Sequence, residues 1–214
     1  MITGVESEWY GGLDLGQKRD YSALALLERA RIWTDERDPV TYAWRTRTRY
    51  ALRYVERIPL GTDYVEVARR VCGVAGRREI APLRLAVDAT GVGLAVVDLL
   101  RRSGDAGFRS GLAPVVITGG SRARYERESY YVPRKDLLDL PVVMLERRQL
   151  VFAADLPGRR ELEGELRGMG VSSAGAGAGA VHDDLVMALA LAVWRARVHA
   201  GGVAPVPGDS WRTG

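Results

Sequence analysis

WYGGLDLGQKRDYSALALL, residues 9–27, holds two short apolar runs joined by a polar link that contains a glycine. Residues 9–15 and 22–27 have the length and composition of strands, and residues 16–20 have those of a turn, so the segment reads as a β-hairpin. Asp14 stands out between Leu13 and Leu15. Aspartate is depleted in strands and costly to bury without a partner. It is therefore either a turn residue at a strand end or a group placed there for chemistry.

Working outward, residues 50–58 alternate, with Leu52, Tyr54, Glu56 and Ile58 on one face and Arg53, Val55 and Arg57 on the other, which predicts a third strand. Residues 31–49 are polar and arginine-rich and read as a variable hairpin or loop. Thr62 is placed as the N-cap of a helix carrying Val65, Ala68, Val71 and Cys72 at helical spacing, with Cys72 in the core and Pro82 ending the stretch. Strands and helices then alternate. The strands are expected at 83–87, 113–118 and 150–153, and the helices at 94–102, 135–148 and 158–169. Pro141 should break or kink the second of these helices. Residues 185–198 form a last, almost wholly apolar helix. Hairpin strands first and alternating elements afterwards indicate an α/β fold, a mixed sheet flanked by helices. One domain over residues 1–198 is expected. Residues 172–180 (SSAGAGAGA) and the Gly/Pro-rich tail, 199–214, are flexible by composition.

Composition narrows the function classes. The 214 residues suffice for one domain with a real core, and 47% hydrophobic with 27% charged residues is ordinary globular usage. No run approaches the roughly 18–20 apolar residues of a membrane span. The opening MITGVESEWYGG lacks the basic start and apolar centre of a signal peptide. A cytoplasmic protein without a membrane partner is expected. One cysteine and two histidines exclude an internal disulfide and a Cys/His zinc site. A net charge of +4 suits a polyanionic partner without requiring one. The two lysines, Lys18 and Lys135, follow Gln17 and Arg134, so there is no Gly-Lys-Ser/Thr phosphate loop.

The informative residues are acidic. Asp14 lies in the first strand, Asp88 ends the 83–87 strand just before Ala89-Thr90-Gly91-Val92-Gly93, and Asp183 and Asp184 open the last helix. Each has a plain alternative: a turn at Asp14, a turn or cap at Asp88, and capping of the helix dipole at Asp183 and Asp184. Acids at element ends, far apart in sequence, are also what a pocket for hard divalent cations needs. Carboxylate oxygens suit Mg²⁺ or Mn²⁺. Two such ions, about 3.5–4 Å apart, activate a water and stabilise the leaving oxygen of a phosphodiester.

Four motifs in order carry a resemblance. They are Leu13-Asp14-Leu15-Gly16-Gln17 with Asp20-Tyr21-Ser22-Ala23, then Val87-Asp88-Ala89-Thr90-Gly91-Val92-Gly93, then Val132-Pro133-Arg134-Lys135-Asp136-Leu137, and last His182-Asp183-Asp184-Leu185-Val186-Met187-Ala188-Leu189-Ala190. Together they resemble the nuclease domain of the large terminase subunit of tailed bacteriophages, over residues 9–198. The resemblance implies a ribonuclease H-like fold: antiparallel hairpin strands, then parallel strands, flanked by helices. It implies a two-metal endonuclease (Mg²⁺ or Mn²⁺) that cuts concatemeric double-stranded DNA during packaging. Asp14 would bridge both ions, Asp88 and Asp184 would be ligands, and Asp183 would share the last role or stand behind it. His182 would touch phosphate or orient Asp184, while Asp20 organises its turn. Full subunits carry an ATPase motor ahead of this domain, so a separate motor and a portal protein are expected partners.

Two arginine groups bear on substrate. Arg45, Arg47 and Arg49 alternate along a strand with Tyr42, Trp44 and Tyr50 interleaved. Arg122, Arg124, Arg134 and Lys135 lie among Tyr125, Tyr130 and Tyr131. Alternate arginines on a strand can track a phosphate backbone without reading sequence; they can equally be a solvated face paired to Glu126 and Glu128. Other readings are weaker. Gly119-Gly120-Ser121-Arg122-Ala123 ends in Ala where a nucleophile elbow needs Gly. Gly91-Val92-Gly93 lacks the third glycine of a dinucleotide loop, Val96 standing in its place. An actin-like ATPase needs a longer, two-domain chain. The rivals are another ribonuclease H-like nuclease (a Holliday-junction resolvase or a ribonuclease H) and a non-catalytic DNA-binding packaging module.

Overall fold

The computed structural model describes residues 2–16, 20–103, 106–172 and 183–200. Strands β1 (Ile2–Asp14), β2 (Ser22–Arg37) and β3 (Trp44–Ile58) form an antiparallel meander. The segment read as a variable hairpin or loop is mostly strand: β2 and β3 pair far beyond the core, leaving only a short turn whose Asp38 carboxylate accepts from Val40 and Thr41 N–H. The β2–β3 register slips between Leu26, opposite Tyr54, and Leu27, opposite Leu52. Arg53 is thus the extra residue of a β-bulge, and its side chain reaches Glu28 at 2.7 Å. The bulge overturns simple alternation here. Leu52 joins Val55 on one face, whereas Tyr54 and Ile58 pack on the other.

Helix α1 (Tyr64–Ala75) is capped by Asp63, whose carboxylate accepts from Glu66 N–H at 2.8 Å. Thr62, the expected cap, instead donates its hydroxyl to the Pro59 carbonyl at 2.6 Å. Both residues can cap, and the turn geometry selects the second. Val65 consequently points outward, 64% exposed, while Val67, Ala68, Val71, Val74 and Ala75 are buried. Cys72 is half-buried at the rim of that core rather than inside it.

β4 (Leu83–Asp88), α2 (Gly93–Ser103), α3 (Ala106–Gly111) and β5 (Ala113–Thr118) follow. A hairpin of β6 (Arg124–Glu126) and β7 (Ser129–Pro133) follows, in a stretch for which no strand was expected. Its turn residues Arg127 and Glu128 both take positive φ, at 50° and 60°, without the glycine or asparagine that normally betrays such a turn. α4 (Arg134–Glu146) runs through Pro141 unbroken; the buried ring offsets the one backbone bond it cannot make. β8 (Leu150–Phe152), α5 (Arg159–Ser172) and α6 (Asp184–Ala200) complete the strands and α-helices of the described residues.

The sheet order is β6-β7-β5-β4-β1-β2-β3-β8, with β4 parallel to β1, and β5 and β7 continuing in parallel. This is the expected ribonuclease H-like mixed sheet. α1, α2 and Phe108 of α3 cover one face. α6 lies across the other, buried from Leu185 to Trp194, with α4 and α5 packed over it. A helix apolar all round must be enclosed on all sides, and this sandwiched position satisfies that demand. Among the described residues no helix is long and apolar enough to cross a membrane.

Candidate active site

Asp14 and Asp88 are the last residues of the adjacent parallel strands β1 and β4. Leu13 pairs with Val87, so the two acids stand side by side one step on. Strand periodicity puts Asp14 on the face of Gly12 and Tyr10, and Asp88 on the face of Ala86, which is the face α6 covers. Gly12 allows α6 to approach: a Cβ there would lie 2.0 Å from the Ala188 carbonyl oxygen. One helical turn before Ala188 is Asp184, the first residue of α6. The strand ends and the helix start therefore converge at one end of the sheet.

The electrostatics report that convergence. Burial pushes the Asp14 carboxyl well above the ordinary carboxylate range, and the charges of Asp88, Asp184 and Asp183 push the same way against Arg134. Burial also raises Asp88, opposed by hydrogen bonds from Thr90 and by Arg134; its carboxylate accepts the Thr90 N–H at 2.9 Å. Asp184 is 7% exposed, its carboxylate 3.6 Å from the Nε of Arg57. Asp183 is paired with Arg134.

Two further residues, Glu165 and Arg57, support the group and escaped the sequence reading. Glu165 of α5 is buried and pairs with Arg57, and it accepts the Val186 N–H at 3.0 Å. Burial raises its pKa, with the Val186 bond and Arg57 pulling down. A signal existed: Leu162, Glu165, Leu166 and Met169 share one helix face, so Glu165 is the single acid on an apolar stripe.

The donor set is all carboxylate oxygen, the chemistry of a hard divalent cation, and crowded carboxylates that raise one another's pKa are what such a charge would relieve. As placed, however, no group of three or more His, Cys, Asp or Glu among the described residues closes on a point that could hold a metal ion. Arg134 instead pairs with Asp183, and Arg57 stands beside Asp184.

The cations divide by location. Thr118 of β5 pairs with Pro133, so Arg134 and Lys135, opening α4, stand at the acidic end of the sheet. They flank an open groove of about 470 Å³ that Thr118, Gly119 and Gly120 also line. Lys135 reaches Asp139 at 2.5 Å. Arg122 is exposed beyond β6; Arg124 lies 4.1 Å over the Tyr131 ring and 3.5 Å from Glu126. Arg45, Arg47 and Arg49 are not brought to the site. Arg47 pairs with Ile32, itself opposite Val5, nine residues up β1 from Asp14. That is roughly 30 Å at the strand rise, and on the opposite face. Asp20 is exposed in its turn, its carbonyl packed against Gly16. His182, residues 173–180 and the tail after Ala200 lie outside the described residues.

No protein-family model and no curated protein matches the chain. Among solved structures, the human cytomegalovirus terminase nuclease domain is similar at 14% identity, covering 91% of this chain and 84% of that one with a TM-score of 0.55. A Mn-soaked form of the same domain is also similar at 14% identity, covering 89% and 82% with a TM-score of 0.53. At such identity the likeness is one of architecture, and it establishes that the chain has the fold of a terminase nuclease domain.

Proposed function

We propose that the chain is a metal-dependent endonuclease hydrolysing phosphodiester bonds of double-stranded DNA, as in the cutting of concatemeric viral DNA during packaging. The observation that carries this reading is the meeting of Asp14, Asp88 and the Asp183–Asp184 pair at one end of the sheet, where burial and mutual repulsion raise Asp14. The fold shared with a terminase nuclease domain, one form of which was soaked with manganese, supports it. Asp14, Asp88 and Asp184 would hold two Mg²⁺ or Mn²⁺ ions, which when bound supply a water of lowered pKa and a counter-charge for the leaving 3′ oxygen.

The chain's own residues prepare the site. Thr90 N–H fixes one oxygen of Asp88. Arg57 steadies Asp184, and Arg134 holds Asp183 beside the group. Arg134 and Lys135 flank the groove, and with the exposed Arg122 and Arg124 at the β6 edge they would meet a phosphate backbone. No side chain is required as nucleophile. An ATPase motor and a portal protein are the partners this role calls for.

A second reading is a non-catalytic DNA-binding module, favoured by the pairing of Asp183 with Arg134 and of Asp184 with Arg57, which supplies from the chain the positive charge that metal ions would otherwise bring. Supercoiled plasmid incubated in Mn²⁺, Mg²⁺, Ca²⁺ or EDTA separates the two. Nicking that needs Mn²⁺ or Mg²⁺ and disappears in Asp88→Asn supports the nuclease; DNA binding without cleavage in any metal supports the module. A four-way junction and an RNA–DNA hybrid in the same assay test the resolvase and ribonuclease H alternatives.

A further inference from the structure

The start of α6 is capped in an unusual way. Asp183 is its N-cap, since its carbonyl accepts the Met187 N–H at 2.8 Å. An N-cap aspartate ordinarily turns its carboxylate back to accept an N–H of the first turn, typically that of the third residue. That residue is Val186, and its N–H goes instead to Glu165 of α5 at 3.0 Å. The Asp183 carboxylate is engaged by Arg134 on the other side. The second oxygen of Glu165 binds Arg57, whose Nε is 3.6 Å from the Asp184 carboxylate.

We propose that Glu165 is a positioning residue: it caps α6 from a neighbouring helix, which leaves the Asp183 carboxylate to Arg134 rather than to the Val186 N–H and fixes the start of α6, where Asp184 stands, at the acidic end of the sheet. By sharing Arg57 it also keeps that guanidinium from neutralising Asp184 outright. A buried carboxylate is costly unless fully partnered, and Glu165 is 6% exposed with both oxygens engaged. The capping stands on geometry alone. Its consequence for metal binding rests on the nuclease reading above.

The test compares the full chain with Glu165→Ala and Glu165→Gln. Three quantities are measured: Mn²⁺ binding by calorimetry without DNA, the Mn²⁺ dependence of plasmid nicking, and exchange of the Val186 amide. In Glu165→Ala the Mn²⁺ needed for half-saturation should rise about 10–100-fold in both titrations, the range seen when partners behind metal ligands are removed. Duplex affinity in EDTA should stay unchanged and Val186 exchange should accelerate. In Glu165→Gln the remaining carbonyl oxygen should preserve Val186 protection, while Mn²⁺ binding still weakens as Arg57 turns to Asp184. If Glu165→Ala does not fold, Glu165→Gln carries the test. Wild-type Mn²⁺ titrations in a folded variant, beside a wild type that binds Mn²⁺ and cuts, overturn this proposal alone. A wild-type chain that neither binds Mn²⁺ nor cuts overturns the nuclease reading and this proposal with it.

Discussion

Gly12 of β1 and Ala188 of α6 meet backbone to backbone: a Cβ at position 12 would stand 2.0 Å from the Ala188 carbonyl oxygen and 2.5 Å from the Ala192 nitrogen. Two residues along the strand from this contact is Asp14, and one turn back along the helix is Asp184. The crossing that buries α6 therefore also sets the separation of two acids 170 positions apart in the chain.

Gly12→Ala should accordingly damage both fold and site. The methyl would meet backbone, which cannot rotate aside, so α6 must shift. Chemical denaturation should show a loss of at least about 1–3 kcal/mol, the usual cost of overpacking. Any folded fraction should cut DNA more slowly than the wild type. Wild-type stability would mean that α6 does not lie this close to β1.

Asp14→Asn should stabilise the metal-free protein at neutral pH while abolishing cleavage. The Asp14 carboxyl titrates above its unfolded value because burial and the neighbouring acids oppose its charge. Such a group favours folding fully below the unfolded pKa, near 4, and loses that contribution as pH rises through the folded pKa. The variant's advantage should therefore be present at pH 7 and vanish as pH falls to about 4. Thermal melts across that range in EDTA measure it.

Asp88→Asn should retain the fold and lose activity below detection. The amide oxygen can still accept the Thr90 N–H that Asp88 accepts at 2.9 Å, so the β4–α2 turn survives. Only the negative charge is removed. Circular dichroism and plasmid nicking, measured on one preparation, separate the two effects.

DNA affinity should depend on salt through the cations at the acidic end. Replacing Arg122 and Arg124 together should weaken duplex binding and flatten the slope of log K against log salt by about 1 for each phosphate that is no longer neutralised. Replacing Arg45, Arg47 and Arg49 should leave affinity for a duplex of about ten base pairs, one turn or roughly 34 Å long, unchanged. Those arginines lie on the opposite face of the sheet from Asp14, so a duplex this short seated over the acids does not run along them. Fluorescence anisotropy over a salt series reads both.

Most of the fold was legible because strand and helix periods are local. The 83–87 and 113–118 runs, the apolar last helix and the hairpin around Asp14 correspond to β4, β5, α6 and the β1–β2 pair. Asp14, Asp88 and Asp184 were visible for the same reason, as charges ending apolar elements. Local signals failed where two chemistries fitted equally, as at Thr62 and Asp63, or where a turn formed without its usual residues, as at Arg127 and Glu128. They failed again at Pro141, whose propensity to break a helix was outweighed by tertiary packing.

By itself, then, the sequence determined that Asp88 closes a strand and that Asp183 and Asp184 stand at the start of an apolar helix, since those signals lie within single segments. Only the tertiary structure decided what those ends face. The bulge at Arg53 moved Leu52 to the other side of the sheet. The length of the β2–β3 hairpin carried Arg45, Arg47 and Arg49 away from the acids. The packing of α5 against α6 gave Glu165 the cap of the helix that opens at the acidic end. Each of these depends on register or on the close approach of distant segments, and such contacts are set by how surfaces fit together rather than by the period of any one segment.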